Sequence, residues 1–160
     1  MARFAKDRGL LRCAAALETA ERNLLQSSEY SFRAYHPARA SSTADIGVFT
    51  AIVDARKLDR ADPVPRSTLN ITVSNSTRNV NACNTMYEQT KYVNLDCDTV
   101  LRQMAPSARQ STNPVLGSIL FEISETLSLT VIPAGTGQCV TVVKEVLFDA
   151  PLTGGGTSTR

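Results

Sequence analysis

The sequence has no tryptophan, only one histidine, and no apolar run approaching the ~18 residues that a membrane-spanning helix needs. With His36 the only imidazole, a Ser–His or Cys–His pair can be built in one place alone. That place is "AYHPARA", a proline-flanked loop that reads as surface or structural. The four cysteines, Cys13, Cys83, Cys97 and Cys139, are widely scattered, with no C-x-x-C and no Cys/His spacing that suits a metal. Cys139 falls within a β pattern and reads as a small buried hydrophobe. Free thiols in a reducing compartment are the expectation, with a Cys83–Cys97 bridge as the oxidising alternative. Phosphate cradles are missing too: "GTG" at 135–137 has no helix after it, and "GGG" at 154–156 belongs to the tail. Asp96 and Asp98 read as a helix cap or a turn rather than an acid/base pair. The sequence thus predicts no enzyme, no metal and no cofactor.

What is present begins with a mild asymmetry of charge. The whole chain is nearly balanced, with 17 basic and 15 acidic residues. Residues 1–39 hold seven basic groups against four acids, and arginine outnumbers lysine thirteen to four along the chain. Arginine favours bidentate contacts to phosphate or carboxylate. The basic residues Arg3, Lys6, Arg8, Arg12 and Arg22 suit contact with phosphate, and a solvated helix face explains them about as well.

Hydrophobic periodicity then divides the chain. Leu10, Ala14, Leu17 and Leu24 recur at helical spacing, flanked by Leu11 and Leu25, and predict one helix over 7–27. From residue 29 the period changes to two. "YSFRAY", "IGVFTAIVDARKL", "STLNITVSNS" and "YEQTKYVNL" read as strands, with "DRADPVPRS" and the Asn-rich "NSTRNVNACNTM" as loops. "DCDTVLRQMA" reads as a short helix near 97–104, capped by an aspartate and ended by Pro106. "GSILFEIS", "TLSLTVI" and the long "QCVTVVKEVLFDA" close the set, with "PAGTG" as a turn. The prediction is a mainly β fold, an antiparallel β-sandwich or jelly roll with one N-terminal helix. It divides into a helical arm at 1–28, a β domain at 29–152 and a tail at 153–160. Two sequons stand at Asn70 and Asn75; "LLRCAAAL" is too short and interrupted to read as a secretory h-region, so they are expected to carry no glycan.

The segment "VNLDCDTVLRQMAPSARQSTNPVLGSILFEIS" and the closing "QCVTVVKEVLFDAPLTGGGTST" together resemble the end of a small icosahedral plant-virus coat protein of the tymovirus kind. In that pattern a strand (Val93–Leu95) leads to a short helix (Thr99–Met104, with Arg102). A Pro-led strand (Pro114–Ile123) follows, then a long final strand (Val140–Phe148) and Pro151–Leu152. The resemblance implies a jelly-roll subunit that self-assembles into a shell, packages RNA non-specifically through Arg3, Lys6, Arg8, Arg12 and Arg22, and resides in the virion or the host cytoplasm. It implies a homo-oligomer with no small-molecule substrate and no membrane partner. The alternatives from other classes are a secreted β-sandwich binding or adhesion module and an accessory subunit of a larger complex.

Overall fold

A computed structural model describes residues 1–25, 28–38, 44–57, 66–104, 109–111 and 118–151. The chain starts with two helices, α1 (Ala2–Asp7) and α2 (Ala14–Leu25). Four strands follow: β1 (Ser28–Tyr35), β2 (Val48–Lys57), β3 (Arg66–Asn75) and β4 (Ala82–Val93). Helix α3 (Cys97–Met104) leads to β5 (Arg109–Ser111), β6 (Ile119–Glu122), β7 (Leu127–Gly135) and β8 (Gln138–Pro151). The fold is mainly β and antiparallel, with helix at the N-terminus and a short helix at 97–104, as predicted. The jelly-roll detail is finer than this architecture. All eight strands lie in one ladder, ordered β1-β2-β3-β4-β8-β7-β6-β5. Two four-stranded meanders thus meet where β4 pairs with β8.

Residues paired across an antiparallel ladder point to the same face, so the register alone sorts the side chains. Phe32, Val53, Leu69, Gln89, Val143, Leu129 and Phe121 form one row running from β1 to β6. The adjacent row, on the opposite face, reads Arg33, Ile52, Asn70, Glu88, Lys144, Ser128 and Glu122. The first face is apolar and carries the core. Leu10, Leu17 and Leu25 are buried there beside Phe49, Val53, Leu69, Ile71 and Val73, forming a cluster under α1 and α2. A second cluster joins Val100 of α3 to Phe121, Leu129, Val131 and Cys139. Tyr87 packs on the first cluster and Val93 on the second, and both lie on the same face of β4. All three helices therefore cover one side of the sheet.

The helix expected over 7–27 is instead two helices. At the end of α1 the Gly9 N–H donates to the Lys6 carbonyl and the Leu10 N–H to the Ala5 carbonyl. This is a Schellman closure, and it needs a residue of positive φ at Gly9, where φ is 105°. The chain then turns and α2 begins after Cys13. The Asn-rich loop is also shorter than its composition suggests. Strand β4 starts at Ala82, because its backbone is hydrogen-bonded to β3 on one side and β8 on the other. At the far end, β7 continues through Pro133 to Gly135, with an irregularity of register between them, so the hairpin turn is only Thr136–Gly137. Pro106, Pro114 and the tail at 153–160 lie outside the described residues.

The cysteine expectation is corrected. All four are paired, as Cys13–Cys83 and Cys97–Cys139. Neither free thiols nor a Cys83–Cys97 bridge is present, because Cys83 and Cys97 belong to different core clusters. Cys139 is buried as expected, but as half of a disulfide. The bridges span 70 and 42 residues; closing loops of that length removes enough unfolded-chain entropy to stabilise by about 4 kcal/mol each. The double variant Cys97→Ala/Cys139→Ala is expected to lose about 2–4 kcal/mol in urea unfolding. A loss below ~1 kcal/mol would show that this bridge carries no structural weight.

Candidate functional site

The five candidate RNA contacts all belong to the helical layer or its connector, on the covered side of the sheet. Arg3 and Lys6 are exposed on α1. Arg8 caps its C-terminal end, with the guanidinium 5.0 Å from the centroid of the Phe4 ring. Phe4 in turn meets Phe32 edge to face at 5.4 Å, so this cation sits above an aromatic pair rooted in β1. Arg12 and Arg22 are differently engaged. The Arg12 Nε–H donates to Asp45 Oδ2 at 2.9 Å. Arg22 lies 3.7 Å from Glu18 one helical turn earlier, an exposed pair of small energetic value. The structure thus groups Arg3, Lys6 and Arg8 on one short exposed segment and commits Arg12 and Arg22 to carboxylates.

Two polar hubs hold that segment in place. The Glu21 carboxylate accepts the Ala2 N–H at 2.7 Å, the Met1 ammonium at 3.2 Å and the Tyr30 hydroxyl. Burial pushes Glu21 upward, but hydrogen bonds from Tyr30, Ala2 and the ammonium outweigh it and hold the carboxyl below its ordinary value. The same burial, with Glu21 beside it, raises the Tyr30 hydroxyl to about 12. The second hub is Asp45. It accepts the Leu11 N–H at 3.2 Å, the Arg12 Nε–H and the Asn75 amide at 3.1 Å. It thereby joins the α1–α2 connector to the end of β3. Burial opposes the charge of Asp45 too, and again the hydrogen bonds, led by Arg12, keep the carboxyl lowered. The Asn75 amide nitrogen, the atom a glycan would be attached to, is engaged in this bond.

The other side of the sheet is open: no described element crosses it. Its polar residues include Thr50, Thr68, Asn70, Thr72 and Ser74, with Thr50 and Thr72 joined hydroxyl to hydroxyl at 3.0 Å. Among these stand apolar side chains that a solvated face does not need: Ile52 is 40% exposed, Met86 42% and Tyr92 44%. Val140, Val142 and Val146 of β8 lie on the same face and are half-buried. Alternation along each strand made this face readable in the sequence, beside the basic front end.

His36 offers no catalytic geometry. Its ring stacks on Phe49 at 6.4 Å, and Nδ1 lies 3.0 Å from the Pro37 carbonyl oxygen. Asp96 is the α3 cap, accepting the Thr99 N–H and hydroxyl, both at 2.8 Å; those bonds lower its carboxyl. Among the described residues no group of three His, Cys, Asp or Glu is placed to hold a metal. No known family, curated protein or solved structure matches this chain.

The Asp45 hub yields a signed prediction. Its folded carboxyl titrates below the ordinary 3.8, so its contribution is complete above that value and is lost as pH falls through the lowered one. Asp45→Asn is expected to cost about 1–3 kcal/mol at neutral pH. It should also flatten the fall of the urea midpoint between about pH 5 and pH 2. An unchanged acid slope would remove Asp45 from the account.

Proposed function

We propose that this chain is a self-assembling structural subunit, a coat or shell protein that encloses RNA. The observation that carries the reading is the open sheet face. It is a broad surface on which Ile52, Met86 and Tyr92 stand partly exposed among hydroxyl and amide side chains. Surfaces of that breadth and mixed polarity suit association between proteins. The resemblance of the last 60 or so residues to a coat protein supports it, as does the placement of α3 with Arg102 and of the long β8. Arg3, Lys6 and Arg8 supply the cationic segment for phosphate, in a contact without base reading. Such a subunit acts through its surfaces and needs no catalytic residues.

A second reading is favoured by the two disulfides. Buried bridges persist where the surroundings are oxidising, which suits an extracellular β-rich binding module. The two readings separate on mass and absorbance. Light scattering on size exclusion is expected to give a megadalton-range particle with nucleic-acid absorbance. The triple variant Arg3→Ala/Lys6→Ala/Arg8→Ala should keep the particle mass but lower the 260/280 nm ratio. A monomer with a protein-like ratio would overturn the shell and leave the binding module.

A further inference from the structure

We infer that β1 is a seam along which two copies of this chain join, strand to strand, about a two-fold axis through Ser31. The inference rests on the self-assembly reading and names one of its contacts.

Strand β1 ends the sheet. Its inner edge is fully paired, from Ser28 opposite Lys57 to Tyr35 opposite Thr50. Among the described residues nothing pairs with its outer edge, and the register along it is unbroken. The other end of the sheet, β5, has only three residues. Natural edges are usually blunted by charge (lysine above all), proline, bulges or shortness; the two charges of β1, Glu29 and Arg33, are opposite in sign. β1 is eight residues long, with no proline, lysine or bulge.

The sequence of β1 is complementary to itself. In a two-fold antiparallel pair a hydrogen-bonded residue must face another of its kind, so the axis passes through a residue and not between two. With the axis at Ser31, Glu29 of each copy stands opposite Arg33 of the other, and Tyr30 stands opposite Phe32. Both pairings occur twice. An axis at Phe32 sets Glu29 against Tyr35 and Arg33 against Ser31, with no ion pair. An axis at Arg33 or Glu29 opposes like charges. Among the described residues neither Glu29 nor Arg33 has an ion-pair partner within the chain. Glu29 already faces Arg56 across β1 and β2, so each glutamate at the seam would lie between two arginines.

The apolar side of the seam is already in position. Tyr30 is fixed by its hydrogen bond to Glu21, and Phe32 by its edge-to-face contact with Phe4. Facing residues share a face of the ladder, so the helices of both copies lie on one side and the open faces become continuous. The new backbone hydrogen bonds form in any permitted register; the four cross-strand aromatic and opposite-charge pairs select this one.

The test uses the full chain, whose four native cysteines are already paired. Ser31→Cys under mild oxidation is expected to give a disulfide-linked dimer, because residues opposite one another lie within bridging distance. Arg33→Cys alone should give none. Glu29→Cys mixed with Arg33→Cys should give the mixed dimer. Glu29→Lys should weaken dimerisation about tenfold, and Glu29→Lys/Arg33→Glu should restore it. Linked dimers without large particles would uphold the seam while the shell reading fails. Particles without a Ser31→Cys link, or equal linkage at positions 31 and 33, would overturn the seam and leave the shell reading standing.

Discussion

Fastening the helical layer to one face of the sheet is the constraint on which the rest of the molecule depends. Each core cluster contains one disulfide, and each disulfide ties helix to strand. Cys13, just ahead of α2, is joined to Cys83 near the start of β4. Cys97, the first residue of α3, is joined to Cys139 near the start of β8. An eight-stranded antiparallel sheet with one apolar face needs a cover on that side and can leave the other to water. The helices are short, at six, twelve and eight residues, and helices of that length are marginal alone. Packing of Leu10, Leu17, Leu25 and Val100, together with the two bridges, supplies what their length does not.

One-sided covering sets the functional geography. The basic side chains that drew attention in the sequence lie with the helices, over the core. Among the described side chains, the opposite face carries both signs, with Arg33, Arg56 and Lys144 set among Glu29, Asp54, Glu88 and Glu122. In the proposed shell, contact with phosphate falls to the helical layer and contact between subunits to the open face. Asp45 and Glu21 tie the helical layer to the sheet: Glu21 accepts three hydrogen bonds, one from Tyr30 of β1, and Asp45 accepts four, one from Asn75 of β3.

Much of this was legible from alternation. Period-two spacing located the strands other than β5, including the long final one, and separated Leu69, Ile71 and Val73 from Thr68, Asn70 and Thr72. The helix near 97–104 was found from its aspartate, and Asp96 is the residue that caps it. Three features were missed for physical reasons. The break at Gly9 carried a signal, a glycine directly after the basic turn "KDR", but the leucine spacing beyond it continued the helical period. The start of β4 was hidden by asparagines, whose local preference yields to pairing on both sides. The disulfide partners carried no signal, because Cys13 and Cys83 meet only once helix and sheet have packed. The basic front end was read as an arm; in the folded chain its first 25 residues supply Leu10, Leu17 and Leu25 to the core.

The most direct measurement is a disulfide map of the native chain, made by digestion without reduction and mass analysis of the linked peptides. Layers held together as described here give two linked pairs, one joining the peptides of Cys13 and Cys83 and one joining those of Cys97 and Cys139. A Cys83–Cys97 link, or free thiols throughout, would contradict the fastening of helices to sheet from which the open face follows.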